Sequence, residues 1–311
     1  MGRRATGRPE VDGRNDGGMD RLQILCFAGT YGLALAAELA RVVVRNPLRW
    51  HLTVGLTFLG WCVQTAYLAN LAMSSPTGLP VNSAFESAIT LSWVVALIGL
   101  YLMVQWPRKV AVGVFVLPLV LGLIAAAGWF APRSAEWLDW EGGGLVAFWG
   151  AVHGVFLLAG AVFTCLAFAA GLMYLAQSNR LKSKGAWRFG FSLPSLEQSE
   201  RVNRGAIVAA FPLLTFGLLI GVLLSVVEAR TSAVAAGHAI SWSDPKVLSA
   251  LGMWLVFAVL LHARFRPSMR GRTVMILTIV AFGFLVFTWV GVEALRLPTA
   301  HGASRTAGRL P

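Results

Sequence analysis

The sequence predicts an all-α integral membrane protein, a bundle of about eight transmembrane helices with both termini on the outer side. Three observations carry this. Hydrophobic residues make up 57% of the 311-residue chain and charged residues only 13%, about half the charged fraction of a soluble domain. The apolar residues fall in eight runs, each near the ~20 residues a helix needs to cross the hydrocarbon. The runs lack the strict alternation of membrane barrel strands, and backbone polar groups in lipid must then be satisfied within helices.

Taken in order, the spans are predicted near 22–44, 52–73, 85–106, 110–131, 151–175, 206–228, 248–265 and 273–295. Residues 1–21, rich in Gly and Arg and without aromatics, read as a disordered tail. They do not read as a secretory signal, because the following run is too long and contains Glu38 and Arg41. The membrane domain occupies 22–295, followed by an outer tail at 296–311.

The net charge of +12 is distributed by side. Loops near 45–51, 107–109, 178–205 and 264–272, with the helix ends beside them, hold fifteen Lys and Arg, among them Arg108, Lys109, Arg180, Lys182, Arg204 and Arg272. The opposite loops and the C-terminal tail hold six: Arg133, Arg230, Lys246, Arg296, Arg305 and Arg309. The positive-inside rule makes the first set cytoplasmic. The five Arg before the first span argue the other way, and the four agreeing loops outweigh them. A membrane explains the basic charge, so no nucleic-acid partner is expected.

Chemistry-bearing motifs are few. Cys26, Cys62 and Cys165 each lie inside an apolar run and form no C-x-x-C, which excludes a disulfide framework, a structural zinc site and covalent c-type haem attachment. There is no P-loop, H-E-x-x-H or G-x-S-x-G. Gly217 and Gly221 form a G-x-x-x-G, read as helix packing. The outer loop at 132–150 holds Trp137, Trp140 and Trp149 beside Glu136, Asp139 and Glu141. It reads either as an interfacial aromatic belt or as a platform for a flat aromatic ligand.

The five histidines divide into two tiers. His51 and His262 fall near the inner ends of their spans, while His153, His238 and His301 fall at or beyond outer ends. Ionisable residues in spans are functional suspects, and imidazole is the commonest metal ligand. Two facing imidazoles could ligate a haem iron, although each His taken alone also fits an interfacial anchor or a hydrogen-bonded core residue. Composition does not separate iron from zinc.

Several strings carry a resemblance. They are LPSLEQSERVNRGAIVAAFPLLTFGLLIG (193–221), SWSDPKVLSALGMWLVFAVLLHARF (241–265), MRGRTVMILTIVAFGFLVFTWVGVEAL (269–295) and VNSAFESAITLSWVVALIGLYL (81–102), together with the helix from His153 to Gln177. They resemble the haem-handling family of cytochrome c assembly proteins, its CcsA-like (ResC-like) branch above all, with HemX-like membrane proteins as near cousins. The resemblance spans roughly 50–301 and is most specific at 193–272.

It implies a non-enzymatic protein of the cell inner (plasma) membrane. Such a protein transports haem b, held non-covalently, or presents it on the periplasmic side for attachment to apocytochrome c, beside a CcsB-like (ResB-like) membrane subunit. By position, His153 and His301 match the outer axial ligands, and His262 matches the intramembrane histidine, to which His51 could be a partner in cis. Trp242 and Asp244 fall in the family's tryptophan-rich loop, and Trp140 would add stacking area beside it. The loop departs from the family pattern: Ser241 and Ser243 stand where tryptophans belong, and Val247 replaces a Glu. That erosion leaves a HemX-like regulator of tetrapyrrole synthesis, acting through protein interaction, as the alternative reading. Asp244, just before Pro245, also fits plain turn and helix-cap chemistry.

Overall fold

The computed structural model describes residues 16–40, 48–75, 78–106, 110–130, 144–182, 192–232, 245–263, 271–292 and 295. Eight helices follow in chain order: α1 (Asp16–Ala40), α2 (Leu48–Ser74), α3 (Ala84–Gln105), α4 (Gly113–Phe130), α5 (Gly144–Lys182), α6 (Leu196–Ser232), α7 (Pro245–Ala263) and α8 (Arg272–Val286). The last runs into one π-helical turn, Phe287–Gly291. Among the described residues, six helices are long and apolar enough to cross a membrane, while α4 and α7 carry shorter apolar stretches. The protein is an all-α membrane bundle.

Helix ends follow local chemistry. Ser83 caps α3 by accepting from the Glu86 N–H at 3.2 Å. Ser195 and Gln198 form a reciprocal capping box before α6, at 3.1 and 3.2 Å. Pro245 opens α7, where its missing N–H costs nothing.

Three helix starts differ most from the sequence reading. α5 begins at Gly144 rather than 151, because Leu145–Trp149 is apolar and has no breaker, so Trp149 belongs to a helix and not to the outer loop. α6 begins at Leu196, ten residues before its expected span. Its charged first turns are helical because the Ser195 cap starts them and the Glu197–Arg201 and Glu200–Arg204 pairs support them. α1 starts at Asp16, although its apolar part still begins at Leu22.

Sequential helices pack antiparallel. Phe27 meets Tyr67 while Tyr31 meets Gln64. Gly99 meets Val116 while Gly113 meets Met103 and Glu38. Ser249 meets Thr288 while Gly252 meets Phe284. Helices α1–α4 form one group and α5–α8 a second, joined through α3 and α4 against α5. The backbone of Ala111, just before α4, donates to Ser192 O, just before α6, at 3.2 Å. The two groups are therefore in register: odd-numbered helices start at one end, here the upper, and even-numbered helices start at the lower.

The first group is pinned by a buried polar cluster. Tyr31 Oη donates to Gln64 Oε1 at 2.8 Å, and Gln64 Nε2 donates to Ile89 O at 3.1 Å and to Ser92 Oγ at 2.8 Å. Every polar atom of Gln64 is used, which is the condition for burying an amide without a desolvation penalty.

Candidate functional site

The upper half of the second group is built around small residues. A Cβ on Gly160 would lie 2.6 Å from Leu214 Cδ2, and one on Gly217 would lie 2.6 Å from Leu157 Cδ2. α5 and α6 therefore approach closely enough for side chains of one to touch backbone of the other. Trp149, His153, Leu157 and Gly160 recur at helical spacing along α5. His153 and Leu157 meet the Gly217 and Gly221 face of α6.

His153 uses that approach. Its Nδ1 lies 2.7 Å from Gly217 O. A carbonyl oxygen only accepts, so Nδ1 carries the proton and donates. In the neutral ring the lone pair then sits on Nε2. Gly221 makes room for the ring, since a Cβ there would lie 2.7 Å from His153 Cε1 and 3.1 Å from Nδ1. The packing motif read from the sequence is thus also the seat of the histidine. No sequence signal revealed this, because it depends on the register between two helices.

Metal-binding histidines are often oriented in this way, with one ring nitrogen donating to a backbone carbonyl. Trp149, one turn towards the upper end and 40% exposed, and Phe148, beside it in an edge contact at 5.7 Å, add aromatic surface. The residues present fit an axial haem ligand with a flat apolar neighbour.

Depth follows from α6. Its charged segment ends at Arg204, and Gly221 is seventeen residues further on, roughly 26 Å at 1.5 Å per residue. The hydrocarbon core is ~30 Å thick, so His153 lies close to the upper boundary.

The remaining sequence candidates fall into three places. His262 is in the last turn of α7 and exposed, at the lower end. His51 is in the first turn of α2, also lower and exposed, with its ring edge-on to Trp50 at 4.8 Å. No hydrogen bond or ring contact joins these two: α2 packs on α1 and α3, whereas α7 packs on α6 and α8. Trp140, Trp242, Asp244 and His301 lie outside the described residues, as do Trp137 and His238. The two-tier division therefore holds for the three described histidines. Gly171, which contacts Met275 and Thr278 near the lower end, is eighteen residues from His153 along α5, roughly 27 Å. His153 and His262 cannot reach one iron. Among the described residues no three His, Cys, Asp or Glu side chains converge on a point.

A polytopic helical bundle with an oriented imidazole at one membrane boundary is the class of protein defined here. The family described as "Cytochrome C assembly protein" matches residues 81–297, which is more than half the chain and includes α3 to α8. The chain belongs to that family. It is similar to the "Cytochrome c biogenesis protein CcsA" of Synechococcus sp. (strain CC9605), 27% identical over 292 residues that cover 87% of this chain and 93% of the relative. The protein of the same name from Parasynechococcus marenigrum (strain WH8102) is 26% identical over 303 residues, covering 88% and 96%. That of Synechococcus elongatus (strain ATCC 33912 / PCC 7942 / FACHB-805) is 40% identical over 96 residues, 31% of this chain and 27% of the relative. No solved structure gives a significant match.

Proposed function

We propose that this protein binds haem b non-covalently and presents it at the outer membrane face for c-type cytochrome assembly. The family membership and the relatives' name support a role in cytochrome c assembly. The observation that supports the haem reading is the 2.7 Å hydrogen bond from His153 Nδ1 to Gly217 O, which puts the lone pair of the neutral ring on Nε2.

In this reading His153 and His301 would hold the haem iron, Trp140 and Trp242 would add aromatic surface beside it, and Asp244 would belong to the same loop as Trp242. Haem supplies a large apolar face, and burying it is worth about 25 cal/mol per Å². Two imidazoles would saturate the iron and suppress oxygen chemistry during hand-over. His262, at the opposite tier, is the intramembrane ligand, and His51 stands at the same level. A CcsB-like (ResB-like) subunit supplies what these lower histidines lack, and apocytochrome c is the acceptor. The upper end is then extracytoplasmic and the lower end cytoplasmic, in agreement with the excess of Lys and Arg in the lower loops. The protein's own part is to bind, orient and release; no bond-making step is assigned to it.

The test is purification of the full chain in detergent, with an absorption spectrum and a pyridine haemochrome assay. Co-purifying haem b, with the outer-site fraction lost in His153→Ala and in His301→Ala, is the expected result. A haem-free wild type when co-expressed with its membrane partner, or a spectrum unchanged in both variants, would overturn the reading.

A further inference from the structure

A cleft lies at the lower end, away from His153. α6, α7 and α8 enclose this cleft, of about 130 Å³, whose wall is in two parts. One part is polar, with Glu200, Asn203 and Arg204 on α6. The other is apolar, with Val208 on α6, Leu261 on α7 and Val274 on α8. The division falls where the charged first turns of α6 give way to its apolar run, at the level of the membrane surface.

Asn203 is the informative residue. Its side chain is only 1% exposed. Nδ2 donates to Ala167 O at 2.9 Å and to Thr278 Oγ1 at 3.3 Å. Thr278 Oγ1 in turn donates to Met275 O at 2.7 Å. Ala167 O can only accept, and Thr278 has already spent its proton, so the amide orientation is fixed. Both Nδ2 protons are used on the core side, and Oδ1 is left as an acceptor with no hydrogen bond in a residue that lines the cleft. An acceptor turned to the cleft is open to a donor that enters it.

Arg204 stands one residue on. It is half-exposed and held by Glu200 at 3.0 Å through a single N–H, which leaves further guanidinium donors for an anion. Glu200 is a second acceptor on the same wall. The polar part of the cleft therefore offers a cation for a phosphate and, a few ångströms away, carboxylate and amide oxygens for a donor. The apolar part offers a path for hydrocarbon.

The geometry points to a binding site for one glycerophospholipid whose headgroup carries a hydrogen-bond donor: the ammonium of ethanolamine or the hydroxyls of glycerol. The phosphodiester faces Arg204, the headgroup donor reaches Asn203 Oδ1 and Glu200, and an acyl chain runs along Val208 and Leu261. Basic and polar pockets between helices at this depth are a recurring mode of lipid recognition. A choline headgroup has the same phosphate but no N–H or O–H, so this site discriminates against it. The inference is independent of haem.

The test uses the full-length protein, delipidated in detergent and re-exposed separately to phosphatidylethanolamine, phosphatidylglycerol and phosphatidylcholine. Retained lipid is read by native mass spectrometry. One ethanolamine or glycerol lipid is expected per chain, with phosphatidylcholine retained at least tenfold less and inorganic phosphate in excess failing to displace the bound lipid. Arg204→Gln, at the exposed rim, and Val208→Trp, which fills the cleft from its half-exposed side, each lose retention. Asn203→Leu loses it too; because Asn203 also ties α6 to α5 and α8, the first two variants carry the result if Asn203→Leu does not fold. Equal retention of phosphatidylcholine, retention unchanged in both Arg204→Gln and Val208→Trp, or displacement by inorganic phosphate would each overturn the proposal. The last outcome identifies a simple anion site.

Discussion

Gly221 and His153 are in such close apposition that the absence of a single methyl group determines where the imidazole sits. A Cβ at 221 would lie 2.7 Å from His153 Cε1. The ring keeps its 2.7 Å hydrogen bond to Gly217 O only because position 221 has no side chain.

Gly221→Ala is therefore expected to push the ring off the Gly217 carbonyl and release the Nδ1–H tautomer. Loss of such an orienting partner typically costs 10–100-fold in metal affinity, so haem affinity at the His153 site should fall by about tenfold or more, with a changed Soret band in what that site retains. Gly217→Ala is the contrasting variant. Its Cβ meets Leu157 rather than the imidazole, so it should lower the melting temperature while leaving the spectrum of retained haem in place. Identical spectra and retention in Gly221→Ala and wild type would remove the positioning role.

His153 and the level of His262 are roughly 27 Å apart along the bundle. Sites so distant behave independently. His153→Ala and His262→Ala should each remove a separate fraction of bound haem, and the double variant should lose the sum of the two. A single variant that empties the protein completely would contradict two separate tiers.

Gln64 holds three helices through three hydrogen bonds. Gln64→Leu leaves the Tyr31 hydroxyl buried without its acceptor, a cost of about 1–3 kcal/mol. Tyr31→Phe in the Gln64→Leu background should recover part of it, since the orphaned hydroxyl is then gone. Thermal unfolding in detergent, followed by circular dichroism, measures both; a double variant less stable than Gln64→Leu alone would contradict this account.

The two ends can be told apart by chemistry. In a background lacking Cys26, Cys62 and Cys165, Leu145→Cys at the upper end should react with a membrane-impermeant maleimide added to intact cells. Leu181→Cys, at the lower end, should react only after the membrane is opened. Both positions are exposed on the protein surface. The reverse pattern would invert the orientation and place His153 on the cytoplasmic side.

Much of the architecture was legible because hydrocarbon imposes it. Any ~20-residue apolar run must be a helix there, and all eight expected spans correspond to α1–α8. Boundaries were less legible where helices leave the hydrocarbon. At Leu145–Trp149 and Leu196–Arg204, capping and side-chain pairing rather than apolarity decide where the helix begins, and a count of apolar residues is blind to both. His153 was legible as a candidate, but the reason it is oriented was not, and Asn203 gave no signal at all as a polar residue in a charged stretch.

Composition and the spacing of apolar runs determined the membrane class, the number of helices and the separation of His153 from His51 and His262 along the membrane normal, because each follows from position along one chain. The tertiary structure alone decided which nitrogen of His153 donates, that Gly217 and Gly221 are its seat, and that the Asn203 amide turns its oxygen to a cleft. Those properties depend on the register and distance between helices, which are set by packing across residues far apart in sequence, and no local pattern encodes them.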